Sequence, residues 1–167
     1  MTALCDKSRE LMQELAGLGI FWETDFKDVI RGDISDLERF LVELGKRSPC
    51  CLSRFIPVER SFHLLEGEVV QLFKKDAAVL AEEIEEGESF CVKVNRRGLR
   101  GLFSSRDVAR QVGSYVCKLI RKRYGERPNA DLENPDKALL FETIGLWCGA
   151  CIVSRELREE CRYLRLP

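Results

Sequence analysis

A single histidine, His63, in 167 residues narrows the available chemistry at once. Any Ser-His-Asp or Cys-His nucleophilic set would have to be built on it, and a multi-histidine metal site cannot form. As a lone imidazole it reads as packed or at the surface. Eight cysteines offer more. Among them, Cys148 and Cys151 in Cys148-Gly149-Ala150-Cys151 have a spacing that suits a redox pair or half of a zinc site. Their setting argues against both. The thiols lie in an apolar run, Trp147 to Val153, that reads as a strand, where residues three apart point to opposite faces. A redox pair would also want a helix N-terminus to depress its thiol pKa, and no second C-x-x-C completes a zinc site. The cysteines are therefore expected to be reduced, mostly as buried small hydrophobes. Glu142 has no identifiable partner acid, so a structural carboxylate is the preferred reading there. No G-x-x-x-x-G-K-[ST] or G-x-G-x-x-G occurs, which leaves nucleotide hydrolysis and dinucleotide binding without support.

The remaining chemistry is electrostatic. The chain carries 27 Lys+Arg against 28 Asp+Glu, for a net charge of −1, but the charges are segregated. Residues 1–90 hold 11 basic and 19 acidic side chains, residues 91–127 hold 11 and 2, and residues 128–167 hold 5 and 7. The middle block therefore has a charge of +9, the footprint of an anion-binding face. The competing reading is a solvated basic helix. Within the block, Lys93 precedes a loop with Arg96, Arg97 and Arg100, and Ser104 and Ser105 follow it. Arg106, Arg110, Lys118, Arg121 and Lys122 come next.

The elements that must position these side chains are legible as patterns. Ser89 to Val94 alternates as a strand, and Arg96 to Phe103 reads as a basic loop with two glycines. Ser104-Ser105-Arg106-Asp107 caps a helix that runs to Gly125. On a helical wheel Val108, Val112, Tyr115, Val116 and Leu119 share one arc, with Arg106, Arg110, Lys118 and Arg121 broadly opposite. Loop, helix N-terminus and basic ridge together can track a phosphate backbone. Lys122 and Arg123 are placed to satisfy the helix's last carbonyls. Downstream, Ala138–Ile144 and Trp147–Val153 read as two strands joined at Gly145.

Upstream, residues 4–17 have helical spacing, Ile20 to Ile34 reads as extended, and Ser35-Asp36-Leu37-Glu38 resembles a capping box. The helix it opens is predicted to end at Gly45, and Cys51 to Val58 reads as a strand. Glu66 to Glu86 suits one long or broken helix, with Glu82, Glu83, Glu85 and Glu86 as a solubilising surface. The whole is an α+β pattern rather than a doubly wound sheet. No apolar run approaches the roughly 18 residues of a membrane span, and the N-terminus does not read as a signal peptide, so a cytoplasmic location is expected.

Three ordered blocks resemble a THUMP domain: Phe90 to Gly98, Phe103 to Gly113, and Asp131-Leu132-Glu133-Asn134-Pro135-Asp136. Gly149-Ala150-Cys151-Ile152-Val153-Ser154 is similar to the last strand of that family, and the resemblance covers roughly residues 63–155. Arg54-Phe55-Ile56-Pro57-Val58-Glu59 resembles the ferredoxin-like module that accompanies such domains. The resemblance implies an N-terminal ferredoxin-like domain over residues 1–62, its first strand hard to find before Leu4, and a THUMP domain over 63–167. It further implies tRNA binding at the acceptor stem and 3′ end. Lys93, Arg96, Arg97, Arg100, Ser104, Ser105, Arg106, Arg110, Lys118, Arg121 and Lys122 are the expected contacts.

Within these residues there is no methyltransferase strand-loop, no ATP-pyrophosphatase loop and no deaminase H-x-E. The organisation is similar to stand-alone THUMP proteins that serve as tRNA-binding adaptors for an RNA cytidine acetyltransferase. The Gly149-Ala150-Cys151-Ile152-Val153-Ser154 ending and the Arg162-Tyr163-Leu164-Arg165-Leu166 tail favour that subgroup. The expected function is thus non-catalytic, without cofactor, metal, membrane or small-molecule substrate. Two alternatives stay open: an RNA-binding subunit for tRNA thiolation or methylation, and a thiol or zinc enzyme using Cys148 and Cys151.

Overall fold

The computed structural model describes residues 1–126 and 128–167 and divides into two compact units. The first comprises residues 1–57 together with 158–165, and the second residues 58–157 with the last two residues. The chain thus divides after Pro57, not after Phe62. Residues Arg60–His63, which span the expected boundary, form a strand of the second unit.

In the first unit the order is β1 (Thr2–Ala3), α1 (Ser8–Glu14), β2 (Ile20–Glu23), β3 (Ile30–Asp33), α2 (Leu37–Arg47) and β4 (Leu52–Arg54). β1 pairs with β4, and β2 with β3, both antiparallel. An antiparallel bridge, Thr2 to Val29, joins the two pairs, and the Met1 amino group donates to the Ile30 carbonyl at 2.9 Å. The strands therefore run β4-β1-β3-β2, the β-α-β-β-α-β order of a ferredoxin-like module. The first strand is present before Leu4, only two residues long, which is below what alternation can reveal. Phe40 of α2 anchors the core, with ring centroids 5.2 Å from Phe55 and 6.3 Å from Phe21. Asp36, not Ser35, is the N-cap of α2: its carboxylate accepts the Arg39 N–H at 2.9 Å. The helix also runs past Gly45 to Arg47 and stops at Ser48, in the left-handed conformation at φ 48°.

The second unit contains β5 (Arg60–His63), α3 (Val69–Leu80) with a 3-10 turn at Ala81–Glu83, β6 (Phe90–Arg97) and α4 (Ser105–Tyr124). They are followed by β7 (Lys137–Ile144), β8 (Trp147–Ser154) and α5 (Arg155–Glu160), the last straddling the division between units. The sheet order is β5-β8-β7-β6, with β6 and β7 parallel and the other pairs antiparallel. α3 and α4 pack on one face of this sheet. Their contacts are Phe73, Ala77, Val108, Val112, Val116 and Ile120 against Phe90, Val92, Leu139, Phe141 and Ile152.

The parallel pair β6–β7 is clamped at its entrance by the Asp131-to-Asp136 segment. Asp131 Oδ1 accepts the N–H groups of Glu133 and Asn134, closing a tight turn. Asp136 then accepts the Ser89 N–H at 2.7 Å and the Ser89 hydroxyl, while its own N–H donates to Ser89 Oγ at 3.0 Å. These bonds set the register at the point where β6 and β7 begin.

Candidate nucleic-acid interface

β6 continues through Arg97, so Arg96 and Arg97 end a strand instead of opening a loop. Side chains alternate across a strand. Arg96 follows Phe90, Val92 and Val94 on the face that carries α4, and its guanidinium lies 5.8 Å from the Phe103 ring centroid. One Nη donates to the Gly98 carbonyl at 2.6 Å, and Nε is buried with no partner among the described residues. Lys93 and Arg97 point to the opposite face, with Asn95 and Glu142. Burial pushes the half-buried Arg97 guanidinium below its ordinary value, though it stays charged. Asn95 Nδ2 donates to Glu142 Oε2 at 2.7 Å, which gives that carboxylate the structural partner the sequence did not reveal. Arg96 and Arg97 thus leave the strand end on opposite faces of the sheet, and Lys93 lies on the face away from α4.

The loop that follows turns on three left-handed residues, Gly98, Leu99 and Gly101, with φ of 79°, 53° and 87°. Leu99 holds this conformation, uncommon for a branched side chain, while packing against the core. The turn leaves Arg100 exposed at its tip. Ser104 then caps α4, its hydroxyl accepting the Asp107 N–H at 3.3 Å. Ser105 occupies the first helical position, and the first turn's remaining N–H groups have no partner within the helix. This positive end of the helix dipole lies next to Arg100 and Arg106 in the chain.

Along α4 the buried row is Val108, Val112, Val116 and Ile120, with Tyr115 and Leu119 only half-buried, so the core arc lies roughly 30° further round than the wheel suggested. Arg110, Lys118 and Arg121 share the outward face, within roughly 80° of one another at about 100° per residue. Arg106 and Lys122 lie on its two margins. Arg106 and Arg121 are about 22 Å apart along the axis at 1.5 Å per residue. The structure thus forms two groups, Arg96, Arg100, Ser104, Ser105, Arg106 and Arg110 near the helix N-terminus, and Lys118, Arg121 and Lys122 toward its end. Arg100, Arg106, Lys118, Arg121 and Lys122 are exposed and engage no carboxylate among the described residues. Arg110 pairs with Asp107 at 3.0 Å on the surface. Arg123, itself exposed, donates to the carbonyls of Ala81 and Glu82 at 3.1 and 3.2 Å instead of to its own helix. Arg127, the last cation of the block, lies outside the described residues.

Cys148 and Cys151 take opposite faces of β8, both buried, and only Cys148 joins the core under the helices. Burial pushes the Cys148 thiol well up. The two sulfurs do not converge on a common point. His63 is exposed on the edge strand β5.

A two-module α+β protein with a cationic ridge raised on one helix is the class these features define. Residues 68–153 match the THUMP domain family, and the chain belongs to that family of RNA-binding domains. TrmN from Thermus thermophilus is similar over 90% of this chain and 42% of its own, at 20% identity and a TM-score of 0.63. PH1313 from Pyrococcus horikoshii Ot3 is similar over 89% and 47%, at 16% identity and 0.55. A 4-thiouridine synthetase in complex with RNA and bound ATP is similar over 90% and 38%, at 15% identity and 0.50. The likeness extends through the N-terminal module, and the chain spans less than half the length of each of these proteins. No curated protein sequence matches the chain.

Proposed function

We propose that this protein binds tRNA at the acceptor stem and 3′ end and presents it to an RNA-modifying enzyme, catalysing nothing itself. The observation that carries the reading is the α4 N-terminus. It combines a glycine-turned loop, a serine cap and four arginines, of which Arg100 and Arg106 engage no carboxylate among the described residues. Backbone N–H groups and guanidinium forks suit phosphate oxygens, and a ridge about 22 Å long matches a run of backbone more than a single anion. Recognition rests on shape and 2′-hydroxyls, because an A-form major groove is too narrow to read. The 4-thiouridine synthetase of similar fold was solved with RNA, which supports the substrate class. The adaptor reading, delivery to a cytidine acetyltransferase for N4-acetylcytidine formation in the cytoplasm, rests on the tail and last-strand resemblance. A subunit for thiolation or methylation is the second reading, favoured by the likeness to the synthetase. The buried, divergent Cys148 and Cys151 favour neither thiol nor zinc catalysis.

The test is a filter-binding titration of tRNA, tRNA lacking its 3′ end, and duplex DNA at two salt concentrations. An Arg100→Glu/Arg110→Glu double variant is run alongside. Preference for intact tRNA is expected, with the variant weaker and its salt slope lower by about 0.7–0.9 per lost phosphate contact. Equal affinity for duplex DNA, or an unchanged variant, would sink the RNA reading. Adding the protein to a cytidine acetyltransferase reaction on tRNA separates the adaptor role, which requires product to rise.

A further inference from the structure

The first unit brings together four side chains that RNA binding does not use. Glu10 and Glu14 stand one turn apart on α1, and both reach the loop that enters β4. There Cys50 Sγ lies 3.1 Å from Glu14 Oε1 and 3.7 Å from Cys51 Sγ, and Cys51 Sγ lies 3.5 Å from Glu10 Oε2. Ligand atoms of Glu14, Cys50 and Cys51 all fall within 4.8 Å of one another. We propose that Cys50, Cys51 and Glu14 form a site for a thiophilic divalent cation of the zinc class, its fourth position open to solvent.

The spacing itself argues for this. A tetrahedral ion with bonds of about 2.3 Å to sulfur and about 2.0 Å to oxygen sets sulfurs about 3.8 Å apart and sulfur–oxygen pairs about 3.5 Å apart. The observed 3.7 Å between the two sulfurs matches the first value, and the 3.1 Å pair of Cys50 and Glu14 opens by a few tenths of an ångström. A disulfide, by contrast, needs sulfurs at about 2.05 Å. The carboxylate is already oriented: Glu14 accepts the N–H groups of both Cys50 and Cys51 at 3.2 Å, as second contacts that fix ligands do. Arg47 ties the carbonyls of Glu14 and Ala16 at 3.0 and 2.8 Å, holding the end of α1 in place. Lys7 is the cation facing the cluster, and both oxygens of Glu10 receive its ammonium, which keeps that carboxylate beside Cys51.

Binding exchanges two thiol protons, released to solvent, for one divalent ion bound by two thiolates and one carboxylate. One half of the cluster, Cys51, is 3% exposed, while Cys50 is exposed, so the ion has an entry path and a sheltered seat.

The experiment uses the full chain, stripped of metal and kept reduced with a phosphine. It is titrated with Cd2+ alone, following the sulfur-to-cadmium ultraviolet band, and then with Zn2+ as competitor. One Cd2+ per chain is expected, displaced by Zn2+. Cys50→Ser and Glu14→Gln should each weaken binding at least about tenfold, while Cys5→Ser leaves it unchanged. Exposed Cys50 tolerates serine, so retained circular dichroism in that variant isolates ligation from folding. The proposal fails if no saturable binding occurs, or if Cys50→Ser binds as the parent does. It also fails if alkylation shows these two thiols joined before reduction.

Discussion

Asp107 is the single acid on α4, and it stands amid the cations proposed to meet phosphate. It has two roles there. In the first turn it complements the helix dipole, and at 3.0 Å it neutralises Arg110. Asp107→Asn is therefore expected to tighten RNA binding several-fold at low salt, an effect that fades as salt screens it, while lowering stability by about 0.3–1 kcal/mol. Parallel binding titrations and thermal melts check both signs. Arg96 and Arg97 carry a different lesson. They are adjacent in sequence and equal in charge, so nothing in composition distinguishes them. A strand three residues longer than its alternating apolar run puts one over Phe103 and the other across the sheet.

At the scale of elements, legibility followed the strength of local signals. α4 was readable to the residue because a capping serine, a valine row and a terminal glycine at φ 84° all agree. β7 and β8 were readable because both are apolar on both faces and meet at Gly145, whose φ of 58° a tight turn requires. β1 and β5 were not, since two residues and a half-polar Arg60-Ser61-Phe62-His63 carry too little alternation. Likewise the Glu10, Glu14, Cys50 and Cys51 cluster has no sequence spacing to detect, because the fold alone joins residues some forty positions apart. The Asp131-to-Asp136 segment was visible as a motif but not as a clamp. Hydrogen bonds from the Ser89 side chain and backbone, aided by Arg155, hold the Asp136 carboxyl below its ordinary value. Its contribution is therefore complete above the unfolded carboxyl's pKa of about 3.9 and is lost as pH falls through the lowered folded value. Asp136→Asn should cost about 1–2 kcal/mol at pH 6, a cost that shrinks as the pH is taken below the unfolded carboxyl's range, measured by urea denaturation.

For the whole molecule, the acidic first 90 residues and the +9 block make a protein near neutrality with a strongly local field. The tail then complicates the simple picture of two units in a row. Phe55 N–H donates to the Tyr163 carbonyl at 2.8 Å, the buried Tyr163 hydroxyl donates to the Pro49 carbonyl at 2.9 Å, and Arg162 reaches Ser48 Oγ at 2.7 Å. Tyr163→Ala should remove about 3–5 kcal/mol, with amide exchange rising across residues 1–57 more than across β6 to β8. The arrangement also sets a schedule. Ribosomes make chain N-terminus first, at roughly 5–20 residues per second, and domains usually fold in that order. Here the first module to emerge lacks Tyr163 and Leu164 until the entire RNA-binding unit has been synthesised behind it. The N-terminal module waits, part-built, until residues 158–165 have followed, so the unit whose synthesis starts earlier is still unfinished when residue 157 closes the main body of the other.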